Sequence, residues 1–466
     1  MCKNRRLGLL ALATLSLLLI SGTAQAAVTT QAGSLPDGAT FLIQVPSPWN
    51  GTLLLYSHGY VTPGSPNPAA DAGDPVTQAF LLANGFALAG SSYEHTGWAV
   101  QEGLPDQIAV LDLFDALVGK PSRTIAWGHS LGGIITAGLI QRHPHRFDAA
   151  LPMCGVLSGS VANWNAALDA AFAFKNLLAF GTALQVVDIT DPDANFAFAE
   201  SIAATAQATP QGRARLALVA ALDDLPGWFD PASPEPASND FVSQEANQFL
   251  WASQTDFAAA FALRAEIEFR AGGNVSFNSG VDYRKQLEKS VDRREVRALY
   301  KQAGLDLDAD LDVLNDAERI QANPASLKYF EQNIIFDGNI HVPVLTLHTE
   351  GDGFVVNESE SAYKDVVREA GNGEFLRETF VHRAGHCEFT PAETVTALGN
   401  LIERLDTGKW PALDPADLNR EAAALGPLNL APPAFDLFKP APFLRPFDTR
   451  TLRCEGRGGE RDHCDQ

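Results

Sequence analysis

The chain has 466 residues, 46% of them hydrophobic, which is enough for a large core and for more than one structural unit. Its formal net charge of -22 opposes binding to nucleic acid or to an anionic membrane surface, and it disfavours a polyanionic substrate. Composition therefore leaves globular enzymes and binding proteins as the classes to consider.

The first 26 residues have the pattern of a secretory signal peptide. A basic start at residues 2–6 precedes the apolar run Leu7–Ile20, and residues 24–26 (Ala-Gln-Ala) form a small-x-small cleavage site. The apolar run is short for a membrane span, and no later stretch is long enough for one. We expect cleavage after Ala26 and export of a soluble protein to the periplasm or the medium.

Residues 27–154 alternate strand and helix patterns, and the same texture returns over residues 336–407. Alternating β and α elements predict a mostly parallel sheet with helices on both faces. Predicted strands are Thr40–Val45, Thr52–Ser57, Phe86–Ser91, Thr124–Trp127, Ala149–Met153, Val342–Thr349 and Phe375–Arg383. Predicted helices are Pro75–Asn84, Pro105–Val118, Leu131–Ile140 and Pro391–Leu405.

Two further regions lack this alternation. Residues 155–335 are alanine-rich and helical in pattern, which predicts an all-helical cap or lid at the carboxyl edge of the sheet. Its predicted helices are Trp164–Phe180, Ala194–Ala206, Arg213–Leu222, Phe241–Arg270 and Asp282–Gln302. Residues 408–466 are rich in proline with interspersed aromatic residues, so we expect an extended segment that packs on the body of the protein.

A candidate nucleophile lies in Gly128-His129-Ser130-Leu131-Gly132. The order strand, G-x-S-x-G, helix is the context of a nucleophile elbow, in which a tight turn lifts the serine hydroxyl clear of the sheet. The helix that follows directs its positive N-terminal end toward the site. We therefore predict that Ser130 is the nucleophile.

A serine needs a base, and the base needs an orienting carboxylate. In such a sheet the acid follows the serine in sequence and the histidine follows the acid. Asp352 stands just past the Val342–Thr349 strand and is the favoured acid, with Glu350 as the second choice. His386 lies in the loop after the next strand and is the predicted base, whereas His382 falls within that strand and is predicted to be half-buried and structural.

The oxyanion of a tetrahedral intermediate requires backbone N–H donors. The elbow predicts the N–H of Leu131 as one donor. The loop after the Thr52–Ser57 strand predicts Tyr60 or Gly59 as the other, because glycine lets the backbone turn toward the site.

Four cysteines follow the expected cleavage site, and an even number in an exported protein predicts disulfides. Cys454 and Cys464 close a short polar loop and are natural partners, which leaves Cys154 to pair with Cys387. That second bond would tether the histidine loop to the strand that follows the elbow helix.

Together these motifs resemble the α/β-hydrolase superfamily, and in particular secreted bacterial esterases and lipases. The motifs are His58-Gly59, Gly128 to Gly133, Gly351-Asp352 and Gly385-His386-Cys387, in that order. The resemblance implies an eight-stranded, mostly parallel sheet and a Ser–His–Asp mechanism with no metal and no cofactor. It implies hydrolysis of a small or polymeric carboxylic ester through an acyl-enzyme.

Two other functions use the same fold. A peptidase of the prolyl-aminopeptidase kind would need cap carboxylates to bind a substrate amine, for which Glu245, Glu266 and Glu268 are candidates. A non-catalytic binding protein would usually lack a triad member, and here each is present.

Two patterns in the helical region have simpler interpretations. The alternating acids of Asp306–Asp312 lack the glycine and distal glutamate of a calcium loop, so we interpret them as an acidic helix start. The aromatic residues of the cap are interpreted as its core, although some of them could line an acyl or aryl pocket. They are Phe172, Phe174, Trp228, Phe229, Phe249, Trp251, Phe257 and Phe261.

Overall fold

The computed structural model describes residues 27–448, in which nine strands form one mixed sheet. The predicted signal peptide and the Cys454–Cys464 pairing lie outside these residues. The strands are β1 (Ala27–Ser34), β2 (Thr40–Ser47), β3 (Thr52–Ser57), β4 (Ala87–Ser91), β5 (Arg123–His129), β6 (Ala149–Met153), β7 (Val344–Gly351), β8 (Leu376–Ala384) and β9 (Phe435–Asp436).

The order across the sheet is β1-β2-β4-β3-β5-β6-β7-β8-β9. The six strands from β4 to β8 pair in parallel, while β1, β2 and β9 are antiparallel to their neighbours. The central strands are buried along their whole length, as expected for a sheet covered on both faces. The arrangement confirms the predicted α/β class and the mostly parallel sheet, but the sheet has nine strands and not the expected eight. The strands β5, β7 and β8 end at the same edge.

The described residues form fifteen α-helices. The helices around the parallel strands are α1 (Pro75–Ala83), α2 (Val100–Leu117), α3 (Leu131–Arg142), α13 (Glu358–Glu369), α14 (Pro391–Thr407) and α15 (Pro415–Ala424). The helices between β6 and β7 are α4 (Ser160–Leu178), α5 (Pro192–Gln207), α6 (Pro210–Ala221), α7 (Phe241–Trp251), α8 (Arg264–Ala271), α9 (Tyr283–Lys289), α10 (Arg293–Ala303), α11 (Leu307–Asp316) and α12 (Pro324–Gln332).

We call residues 160–332 the helical segment. It has an apolar core of its own, in which small alanines of α5 and α6 pack against rings such as Phe174 and Phe261. Asp306 accepts hydrogen bonds from the first-turn N–H groups of α11, which confirms the acidic stretch as a helix start.

The polypeptide after α15 returns to the sheet and then crosses to the helical segment. β9 pairs with β8, and Phe443 and Phe447 are buried. Arg445 forms an ion pair with the fully buried Asp169 of α4 and donates a hydrogen bond of 2.9 Å to the carbonyl oxygen of Phe277. These contacts join the C-terminal residues to the helical segment.

Several element boundaries differ from the sequence-based expectations. The α2 helix begins at Val100 and contains Pro105 in its interior, although proline predicted a start there. The predicted helix 282–302 is two helices separated at residues 290–292, and the predicted helix 241–270 contains two π-helical turns, Ala252–Asp256 and Ala259–Leu263. The edge strands β1 and β9 were not predicted, because one is exposed and the other has two residues.

Candidate active site

Ser130 occupies a strained turn between β5 and α3. Its φ is +57°, a left-handed value that is rare for residues other than glycine. A Cβ atom on Gly132 would lie 1.9 Å from the carbonyl oxygen of Ser57, and one on Gly128 would lie 2.5 Å from the same oxygen. Both glycines are therefore required by the close approach of β3.

Asp352, His386 and Ser130 meet beside this turn. Nε2 of His386 lies 2.8 Å from Oγ of Ser130, and Nδ1 of His386 lies 2.7 Å from Oδ2 of Asp352. Asp352 follows β7 and His386 follows β8, so parallel strands deliver both residues to the edge at which β5 ends. The structure thus brings together the three side chains that the sequence predicted as nucleophile, acid and base.

The other oxygen of Asp352 is held by the backbone. The N–H groups of Phe354 and Val355 each donate a hydrogen bond of 3.0 Å to Oδ1. Burial alone would raise the pKa of Asp352, but His386 and His348 outweigh it and lower the pKa to about 2. The carboxylate is therefore ionised throughout the neutral range.

His348, on β7, is a supporting residue that sequence reasoning missed. Its Nε2 lies 2.8 Å from the carbonyl oxygen of Val355 and 3.5 Å from Asp352, and its Nδ1 lies 2.9 Å from Oε1 of Glu360. A carbonyl and a carboxylate are both acceptors, so both ring nitrogens carry a proton. Burial opposes the charge, but Asp352 and Glu360 raise the pKa of His348 to about 10. His348 is thus a buried imidazolium beneath Asp352.

Glu350 and His382 form a separate pair. Nδ1 of His382 lies 2.8 Å from Oε2 of Glu350 and its Nε2 lies 3.7 Å from Glu235, so Glu350 contacts a different histidine from His386. His382 lies within β8, as predicted, and 44% of its side chain is exposed. Its ring packs against Trp228, with the ring centroids 5.1 Å apart.

A disulfide joins Cys154, just after β6, to Cys387, the residue after His386. The pairing expected from the sequence is present, and the two Cα atoms are 5.4 Å apart. Both cysteines have positive φ values, 41° and 58°, and Sγ of Cys387 lies 3.4 Å from Nε2 of His386. The bond therefore fixes the histidine loop against the strand that neighbours the elbow.

The predicted oxyanion donors lie around the serine. A Cβ atom on Gly59 would be 3.3 Å from Cβ of Ser130, so glycine allows this loop to approach closely. Tyr60 and Leu131 line the same cavity as Ser130, and Leu131 is the first residue of α3. The hydroxyl of Tyr93 donates a hydrogen bond of 3.0 Å to the carbonyl oxygen of His58, which positions the loop.

The cavity at Ser130 lies between the sheet edge and the helical segment and encloses about 780 Å³, its open mouth included. Apolar and aromatic residues form most of its wall, as in sites for small organic molecules. Among the residues that border it are Trp98, Val156, Trp164, Leu225, Phe354 and Phe443.

The three glutamates proposed for amine binding do not border this cavity in the part of the chain that the structure describes. Glu245 pairs with Arg213, Glu266 pairs with Arg270, and Glu268 accepts a hydrogen bond from the N–H of Ile189. The cavity instead contains Asp223 and Asp256, which sequence reasoning did not single out. Of the eight cap aromatics considered from the sequence, none is among the bordering residues.

Part of the sequence and the fold of this chain are similar to those of known proteins. The model of the prolyl oligopeptidase family matches residues 84–175, which include Ser130. The fold resembles an esterase from Aspergillus oryzae (TM-score 0.40, 14% identity, 82% of this chain and 80% of that one). It also resembles an acylaminoacyl peptidase from Pyrococcus horikoshii (TM-score 0.35, 9% identity, 83% of this chain and 41% of that one).

The protein is a serine hydrolase of the α/β-hydrolase superfamily, as the sequence motifs predicted. It is 31% identical to o-phthalyl amidase from Xanthobacter agilis over 432 residues, which is 85% of this chain and 92% of that protein. The chain belongs to the family of that amidase. No helix within residues 27–448 has the length and hydropathy needed to cross a membrane.

Proposed function

We propose that the protein hydrolyses amide and ester bonds of small aromatic carboxylic acids through a covalent acyl-enzyme. The observation that carries this proposal is the Asp352–His386–Ser130 chain of hydrogen bonds at a cavity with aromatic walls. The similarity to an amidase named for the o-phthalyl group supports both the amide bond and an aromatic acyl group.

In the proposed reaction, Oγ of Ser130 attacks the carbonyl carbon while Nε2 of His386 accepts its proton. The ionised Asp352 keeps a proton on Nδ1 and stabilises the imidazolium that forms. The N–H of Leu131, with that of Tyr60 or Gly59, stabilises the oxyanion. His386 then protonates the leaving amine or alcohol, and water releases the acid by the same route in reverse.

Esters of the same acids are included in this proposal for a chemical reason. An ester carbonyl is more electrophilic than an amide carbonyl, and an amide nitrogen must be protonated before it can leave, so a site that acylates from an amide should also acylate from the corresponding ester. From the sequence, esters were the leading expectation and a peptidase was the alternative, and the relationship to an amidase supports including amides.

Three features of the whole chain belong to the same proposal. Residues 27–154 and 336–407 form the catalytic core, residues 155–335 act as a cap over the cavity, and the C-terminal extension, of which the structure describes residues 408–448, packs on the core. We infer that the chain is exported with loss of residues 1–26. The Cys154–Cys387 disulfide supports export, since such bonds persist in oxidising compartments.

The test compares p-nitroanilides and p-nitrophenyl esters of benzoic, 2-carboxybenzoic and butyric acids. Turnover of the aromatic amides and esters should exceed that of the butyryl compounds and should vanish in Ser130→Ala. Ser201→Ala, at an exposed position on α5, is the matched control and should retain full activity. Hydrolysis of aminoacyl nitroanilides alone would favour a peptidase, and activity that persists in Ser130→Ala would refute the proposal.

A further inference from the structure

Two aspartates stand in the wall of the cavity at Ser130. Asp223 follows the C-terminal end of α6, and Asp256 lies on the long helical stretch between α7 and α8. No lysine, arginine or histidine is among the described residues that border the cavity. The charged residue types among the described residues that border the cavity are therefore acidic.

The helix that carries Asp256 has two π-helical turns where it meets the cavity. Asp256 ends the first π-helical turn, and Ala259 and Leu263 begin and end the second. All three residues border the cavity. Single π-helical turns are rare and occur frequently at functional sites, because each re-aims the side chains that follow it.

Burial opposes the ionisation of both carboxyl groups. Burial, with a contribution from Asp169 and an opposing one from Arg264, raises the pKa of Asp223 to about 8. Burial, Asp223 and Asp352 raise the pKa of Asp256 well above its usual value, while a hydrogen bond from Thr255 opposes them. An organic cation in the cavity would lower the pKa of both carboxyl groups, because it gives each carboxylate a counter-charge.

The remaining walls also suit a cation. Trp98 and Trp164 pack edge to face with their ring centroids 5.5 Å apart, and both border the cavity. Phe354 and Phe443 border it as well, the former packed against His386. Aromatic faces attract ammonium groups more strongly than they attract neutral groups, and the effect grows as water is excluded.

We propose that this cavity selects substrates that carry an ammonium group, which Asp223 and Asp256 bind between the aromatic walls. The inference rests on the proposed function, because the selected molecule is the amide or ester that reacts with Ser130. It narrows the substrate class to aromatic acids or amines with a basic substituent. A substrate without a basic substituent gains no such ion pair, so it should react less readily than the ammonium compound.

The test uses p-nitroanilides of benzoic acids that bear an aminomethyl, a methyl or a carboxylate substituent, each at the ortho and para positions. The wild-type protein should prefer the aminomethyl compound over the methyl compound in kcat/KM by roughly 10- to 100-fold, the range of hydrogen bonds to charged groups. Asp256→Asn and Asp223→Asn should each lower that ratio. Asp230→Asn, at an exposed position, is the matched control and should leave it unchanged.

Binding measurements keep the inference testable if turnover fails or a variant does not fold. Calorimetric titration of the wild-type protein with benzylamine, benzyl alcohol and benzoate should rank benzylamine as the tightest. Equal binding of the three, or tighter binding of benzoate, would overturn the inference, and so would equal kcat/KM values for the aminomethyl and methyl anilides. If the protein shows no Ser130-dependent turnover but still binds benzylamine most tightly, that result would refute only the proposed reaction.

Discussion

The substitution His348→Gln tests whether the imidazolium beneath Asp352 stabilises the fold. His348 is fully buried and lies between two carboxylates, those of Asp352 and Glu360. Glutamine preserves much of the volume and one hydrogen bond but removes the positive charge. The variant leaves both carboxylates without a cation that they share in the wild-type protein, and breaking a buried pair in this way is strongly destabilising.

The magnitude follows from the pKa of His348, which rises from 6.5 to about 10 on folding. At about 1.36 kcal/mol per tenfold change in proton affinity, the rise corresponds to roughly 5 kcal/mol of stability. Because the folded-state pKa is the higher one, this contribution is complete below pH 6.5 and is lost as the pH rises through 10. Between pH 6 and pH 9 it should fall by about 3 kcal/mol.

The assay is urea denaturation of wild type and His348→Gln at a series of pH values from 6 to 9. The difference in unfolding free energy should be about 3–5 kcal/mol at pH 6 and should shrink steadily toward pH 9. His341→Gln, at an exposed position just before β7, is the matched control and should change stability by less than about 0.5 kcal/mol. A difference that stays constant over this pH range, or that stays below about 1 kcal/mol at pH 6, would refute the reasoning.

Two further predictions concern the elbow and the disulfide. Replacing Cys154 and Cys387 by serine should lower the unfolding free energy by roughly 2–5 kcal/mol, because the bond closes a long loop. It should also lower kcat, because the bond adjoins His386. Denaturation measures the first effect and steady-state kinetics the second, and an unchanged kcat would contradict the positioning role. Gly132→Ala should abolish activity and folded yield, since its Cβ would lie 1.9 Å from the carbonyl oxygen of Ser57. Gly399→Ala, in open space on α14, should instead stabilise the fold by up to about 1 kcal/mol, and equal effects of the two alanines would count against the steric argument.

The parts of the site that follow from local pattern could be predicted from the sequence. A G-x-S-x-G turn between a strand and a helix identifies Ser130, and strand ends followed by Asp352 and His386 identify its partners. The structure brings these three side chains together because parallel strands have their carboxyl ends at one edge, so order along the chain becomes proximity in space. The Cys154–Cys387 pairing was predicted by elimination, because Cys454 and Cys464 lie close together in the sequence.

Features that depend on packing between distant elements could not be predicted in this way. His348 looks like any polar residue in a buried strand, and only the fold brings Glu360 and Asp352 to its two nitrogens. Asp223 and Asp256 carry no motif, and the π-helical turns that help shape the cavity wall have no sequence pattern of their own. Helical periodicity identified the segment between β6 and β7 but not which of its faces meets the serine.

The central claim is that the hydroxyl of Ser130 becomes covalently acylated with His386 as its base. The most direct measurement is intact-protein mass spectrometry after brief mixing with a p-nitrophenyl benzoate ester, followed by peptide mapping. The account predicts a benzoyl adduct on Ser130 that builds up in the wild-type protein, is absent in Ser130→Ala and forms at least about a hundredfold more slowly in His386→Ala. An adduct on another residue, or hydrolysis at the wild-type rate in Ser130→Ala, would contradict it.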